Sequence, residues 1–167
     1  MDAAVSAARE KLKNVTPLKK DCGRVCGARC CRPLDGEETG MLLFPGEAEA
    51  YADREGWKVL RTPRGNLVVC PGVCARNDRP LSCRLFPLLP LIGDGGEIRV
   101  VTDLRAKAVC PLARQGKSAM DPAFIDAVRE AGEILAQSDE QAVFLDLLAE
   151  EQRELKELRR EWSVTGD

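Results

Sequence analysis

The 167-residue sequence predicts an α+β fold: a small, irregular, metal-stapled domain with two short β-hairpins, flanked by an N-terminal helix and a C-terminal helical pair. Three observations carry this prediction. Apolar residues recur at helical spacing at both ends, short apolar runs flank Gly- and Pro-containing turns in the middle, and eight cysteines lie between positions 22 and 110. The length suggests one domain over 1–167, with a cysteine-bearing core at 18–112 and a helical pair at 121–162. With only four Phe, two Trp and one Tyr, the core must draw on Leu, Val, Ala and whatever staples the cysteines provide.

Val5, Ala8, Leu12 and Val15 share one helical face, with Asp2 as a cap and Thr16-Pro17 as the stop. Residues 22–33 are too dense in Cys, Gly and Arg for an ordinary core element. Residues 41–44 read as a short strand, and Pro45 then suits the first turn of a helix running to about Glu55, where Gly56 ends it. Residues 57–61 and 66–69 flank Thr62-Pro63-Arg64-Gly65 as one hairpin, and 85–92 and 98–104 flank Gly93-Asp94-Gly95-Gly96 as another. Asp121 before Pro122 opens a helix with Phe124, Val128, Ala131 and Leu135 on one face. Ser138 and Gln141 fit a capping box for the last helix, whose apolar side runs through Phe144, Leu147, Leu148, Leu155, Leu158 and Trp162. That stripe packs within the chain or against a second copy, leaving the charged opposite face to solvent.

Composition excludes several functions. A formal charge of −2 is wrong for a strongly basic nucleic-acid binder. The absence of His removes Cys-His and Ser-His nucleophile pairs and mixed Cys/His zinc sites. The first ten residues carry an acid where a signal peptide needs positive charge, and the apolar run at 88–92 is broken by Pro90, which argues against export and against a membrane span. The expectation is a cytoplasmic protein with reduced thiols.

The chemistry therefore rests on the cysteines. Cys22, Cys26, Cys30 and Cys31 fall within ten residues, and Cys70, Cys74, Cys83 and Cys110 are dispersed. A helical first group would put Cys22, Cys26 and Cys30 on one stripe; a series of turns would use Gly23 and Gly27 for positive φ and aim N–H groups at sulfur. Two glycines cost a helix roughly 1 kcal/mol each, which favours the turns. Adjacent side chains diverge, so one of Cys30 and Cys31 is expected to face a second site. In the dispersed group the sulfurs tie distant elements together, and a metal there acts as a folding staple. Eight thiolates would carry the formal charge from −2 to −10, which two dications restore only to −6. Lys19, Lys20, Arg24, Arg29, Arg32, Arg76, Arg79 and Arg84 supply the counter-charge. Inert burial and structural disulfides fit this density less well than metal ligation through all eight cysteines.

The cysteine run ending in Cys30-Cys31, the apolar 41–44 before Glu47, Cys70-Pro71, and Arg79-Pro80-Leu81-Ser82-Cys83-Arg84-Leu85-Phe86-Pro87 together resemble the YkgJ-type cysteine-cluster family, a zinc- or iron-chelating CxxCxxCC domain. The resemblance covers about 22–111 and implies chelation of zinc or iron. Both gaps in the first group are three residues wide, which departs from that pattern and is similar to the cysteine group of flagellin lysine-N-methylases, where an iron–sulfur cluster is implied. In the family's helix Glu47 matches an acid that either ligates through oxygen or serves the helix dipole. Arg79 and Arg84 either bind an anionic substrate or neutralise thiolates.

Three functions follow as expectations. The first is a metal-chelating protein with all-cysteine sites for Zn²⁺ or iron, including an iron–sulfur cluster. The second is an iron–sulfur enzyme of redox or group-transfer type. The third is a metal-stapled interaction module whose outer helices bind a protein partner or form a homodimer. None involves nucleic acid or membrane.

Overall fold

The computed structural model describes residues 1–32, 40–72 and 74–164, the last three by their backbone alone. In chain order the helices are α1 Ala3–Lys11, α2 Cys22–Cys26, α3 Glu49–Ala52, α4 Leu81–Leu85, α5 Ala106–Val109, α6 Pro111–Gln115, α7 Pro122–Leu135 and α8 Asp139–Val164. The strands are β1 Met41–Leu42, β2 Lys58–Thr62, β3 Gly65–Val69, β4 Leu88–Ile92 and β5 Ile98–Thr102. This is an α+β arrangement with helices at both ends and two hairpins between them.

Both hairpins form where the turn residues place them. β2 and β3 pair antiparallel from Lys58↔Val69 to Thr62↔Gly65, leaving Pro63 and Arg64 as the turn. β1 adds to the free edge of β3, with Met41 opposite Val68, so the first hairpin becomes a three-stranded sheet in the order β1-β3-β2. β4 and β5 pair from Leu88↔Thr102 to Ile92↔Ile98 across the glycine turn.

The main core lies between this second hairpin and the helices. Asp2 caps α1 by accepting from the Val5 amide at 3.0 Å; α1 packs against α7 and buries Val5 and Ala8, and Leu12, just after it, is buried as well. Asp121 caps α7 in the same way through Ala123 N, and Phe124, Val128, Ala131 and Leu135 are fully buried. Burying each of those larger apolar side chains contributes about 1.5–3 kcal/mol. A Cβ on Gly132 would stand 2.5 Å from Pro90 Cβ and 2.7 Å from Ile98 Cγ2, so the missing side chain lets α7 lie directly on the β4–β5 hairpin. α8 crosses β4, and Phe44 meets Phe144 edge-on at 4.9 Å. A smaller cluster of Leu43, Tyr51 and Val68 sits under the three-stranded sheet.

Several expected elements differ. The helix expected from Pro45 shrinks to α3, because Pro45-Gly46 makes a turn with φ +80° at Gly46, packed against Asp2. The strand expected over 85–92 begins at Leu88, because 81–85 form α4; a short run of Leu, Ser, Cys and Arg carries no period that separates one helical turn from a strand. The strand expected to 104 stops at Thr102, where Asp103 turns inward to bind Arg105 and Gln152. The capping box at Ser138 does not form: Gln141 is buried and donates from Nε2 to the Pro45 carbonyl at 3.1 Å. On α8, Phe144 and Leu148 are buried and Leu158 is 51% exposed, while the Trp162 side chain lies outside the described residues. No described helix is long and apolar enough to cross a membrane.

Candidate metal centre

Four separate stretches of the chain bring the cysteines together: 22–31, 70–74, α4 and the α5–α6 junction. Cys22 and Cys26 sit on α2, and Cys30 and Cys31 on the 3₁₀ turn Arg29–Cys31. Cys70 follows β3, Cys74 lies in the next loop, Cys83 is on α4, and Cys110 joins α5 to α6. The first group is thus helical for one turn, where the glycine count had favoured loops. Asp21 offsets that cost by accepting from Gly23 N at 3.0 Å, and Gly27, at φ +67°, ends the helix in the left-handed region glycine adopts without strain. Ala28, at φ +53°, continues the reversal, so Cys30 leaves the stripe that an unbroken helix would have given it.

All eight cysteines are free. They line two adjoining cavities, one of about 400 Å³ and one of about 100 Å³. Cys26 and Cys110 face only the larger; Cys31, Cys70 and Cys74 face only the smaller; Cys22, Cys30 and Cys83 form the wall between them. Among the described residues no Asp or Glu lines either cavity, so the available metal donors are sulfur. Trp57, Met41 and Val68 close the smaller one. Gly72 belongs to the same construction: at φ +80°, a Cβ there would stand 2.9 Å from the Cys31 carbonyl oxygen, so glycine lets the Cys70–Cys74 loop approach the first group.

The thiols are poised unequally. Cys30 Sγ and Cys31 Sγ are 3.8 Å apart, too far for a disulfide but close enough for the Cys30 thiol to donate to a Cys31 thiolate. That donation lowers Cys31 to about 6, with Arg79 adding to it against burial, and pushes Cys30 up. Burial pushes up Cys83, and its neighbours Cys31, Cys70 and Cys74 add to the effect. Burial raises Cys22 as well, followed by Cys26. A metal bound by Cys22 or Cys83 would have to expel a proton that burial holds on sulfur.

The arginines divide by role. Arg84 donates to the backbone carbonyls of Arg79, Arg9 and Asn77 at 3.1, 3.1 and 2.9 Å, so its guanidinium holds the loop before α4. Arg76 donates likewise to Leu12, Lys13 and Val15, tying the end of α1 to the cysteine loops. Arg79 reaches sulfur: burial is the largest single effect and pulls its guanidinium down, but its hydrogen bond to Cys74 and the charges of Cys74, Cys31 and Asp21 together outweigh it. Its Nε is buried and meets no acceptor among the described residues.

Glu47 is a structural pin. Its Oε1 accepts from Arg9 Nη1 at 2.9 Å and from Leu81 N at 3.0 Å, and its Oε2 from Phe44 N at 3.1 Å. Both oxygens are engaged and the side chain is fully buried, which accounts for the acid without a metal. The Leu81 amide opens α4, so Glu47 orients the helix that carries Cys83. Arg9 also donates to Tyr51 Oη at 2.8 Å, and Tyr51 in turn donates to the Asp78 carbonyl.

Among the described residues no three Cys, Asp or Glu side chains already stand as a preformed ligand set. The donor chemistry nevertheless fits a soft metal: sulfur lines both cavities, and cationic charge lies at the partition in Arg79. Sequence reasoning identified every cysteine but not the residues that wall the cavities. Trp57, Met41, Val25 and Phe86 carry no sequence signal for that role. No family model, curated protein or solved structure matches the chain.

Proposed function

We propose that this protein is a cytoplasmic metal chelator whose cysteines hold zinc or iron, the latter including an iron–sulfur cluster. The observation that carries the reading is the convergence of eight free cysteines, from four separate stretches of the chain, onto two adjoining cavities free of carboxylates among the described residues. Scattered cysteines buried as small hydrophobes have no reason to share cavity walls. The likeness of residues 79–87 to the YkgJ-type motif points the same way. Bound metal supplies a folding staple and a soft, anionic centre; Arg79 stabilises its thiolates, and Glu47 holds Cys83 in place.

The larger cavity favours a second reading, an iron–sulfur enzyme of redox or group-transfer type, because it leaves space for a substrate beside the sulfurs. Oxygen-free purification followed by elemental and sulfide analysis tests both. A colourless protein with about two zinc per chain supports the zinc chelator and overturns the cluster enzyme. A brown protein with iron and sulfide supports the cluster. A metal-free chain with eight reactive thiols overturns the proposal.

A further inference from the structure

The two cavities differ in size, closure and charge. The smaller, at about 100 Å³, has the volume of roughly three liquid waters, and Trp57, Met41 and Val68 help to close it. The larger has about four times that volume. Its mouth includes Val25, which is 58% exposed, and Arg29, which is also exposed. An ion held by four thiolates occupies little of such a space, and among the described residues four arginines and no acid line it. The wall cysteines can also be apportioned. Cys22 shares α2 with Cys26, which faces only the larger cavity, whereas Cys83, on α4, also lines the smaller cavity with Cys31, Cys70 and Cys74. Cys30 lines both cavities beside Cys31, and a count of four sulfurs on each side assigns it to the larger one.

We infer that the eight cysteines form two unequal metal centres. Cys31, Cys70, Cys74 and Cys83 make a closed one in the smaller cavity, and Cys22, Cys26, Cys30 and Cys110 make an open one on the larger, accessible to a small anionic ligand. This rests on the metal-binding reading and divides the work: the closed centre staples the fold, and the open one is the place where an exogenous molecule reaches metal. Structural thiolate sites are closed, whereas reactive ones keep a position free.

The test uses the full chain loaded with Zn²⁺ and challenged with the anionic chromophoric chelator 4-(2-pyridylazo)resorcinol. Zinc is expected to leave in two phases of equal amplitude, the fast one about tenfold or more quicker than the slow. Cys110→Ser is expected to remove the fast phase and Cys70→Ser the slow one. Should either variant fail to fold, Val25→Trp, which narrows the mouth of the larger cavity without touching a cysteine, is expected to slow the fast phase alone. Arg29→Glu is expected to slow the same phase at low salt and to lose that effect at high salt. In a Trp162→Phe background, fluorescence of the one remaining tryptophan, Trp57, is expected to follow the slow phase. Two zinc equivalents leaving in one phase, or Trp57 following the fast phase, would overturn the division while leaving metal binding intact. A chain that takes up neither zinc nor, on oxygen-free reconstitution, iron with sulfide would overturn both.

Discussion

Replacing Glu47 with Ala removes the acceptor for three donors at once. The Phe44 and Leu81 amides, at 3.1 and 3.0 Å, have no water to turn to, because Glu47 is fully buried. Arg9 loses its carboxylate partner but keeps Tyr51 Oη and the Asn77 carbonyl. Each stranded amide costs about 1–3 kcal/mol and breaking a buried pair about 3–5 kcal/mol, so the loss is expected near 4 kcal/mol rather than the sum. For a chain of this size that lowers the melting temperature by about 8–16 °C. Urea unfolding of wild type, Glu47→Ala, Arg9→Met and the double variant measures it. The double variant is expected to lose less than the two single losses added together, because the charge stranded by one substitution is absent after the other. Since Leu81 N opens the helix bearing Cys83, metal uptake by Glu47→Ala is also expected to weaken under conditions where the variant remains folded. A loss below about 1 kcal/mol would refute the assignment of Glu47 as a buried pin.

Other expected outcomes follow from the packing and the thiols. Gly132→Ala places a Cβ within 2.7 Å of both Pro90 and Ile98 and should cost about 1–3 kcal/mol in thermal unfolding; a neutral result would mean that α7 does not lie against the hairpin as described. Gly72→Ala meets both a φ of +80° and the Cys31 carbonyl, so it should lower metal affinity while leaving the α7–α8 core folded, as read by metal titration alongside circular dichroism. In the metal-free chain, alkylation of Cys31 should titrate with a midpoint near 6, and a midpoint near an ordinary thiol's would refute the Cys30 donation. The sign follows from the lowered value: the stability contributed by the Cys31 thiolate is fully present above the unfolded thiol's pKa and is lost as the pH falls through about 6.

The sequence showed those parts of the fold whose signals are local. Pro63-Arg64 and the glycines at 93–96 mark both hairpins, and Asp121-Pro122 marks the start of α7, because turn and cap chemistry acts within a few residues. What it did not show depends on contacts between distant segments. Gln141 reads as a capping partner for Ser138 but is drawn to the Pro45 carbonyl, 96 positions away. Residues 81–85 form a helical turn whose first amide is satisfied by Glu47, 34 positions earlier. In the site, the cysteine identities and the basic residues around them were readable. The division of labour among arginines was not: Arg84 and Arg76 spend their guanidinium groups on backbone carbonyls, which no spacing announces, whereas Arg79 turns to sulfur. The partition into two cavities likewise arises from where α4 and the α5–α6 junction deliver Cys83 and Cys110.

The central claim is that these sulfurs hold metal, and native mass spectrometry of the oxygen-free purified chain tests it most directly. The expected result is an excess mass over the reduced polypeptide that matches bound zinc, or iron with sulfide, less the protons displaced from sulfur, and that disappears on acidification. A native mass equal to the bare chain with all eight thiols protonated would contradict it.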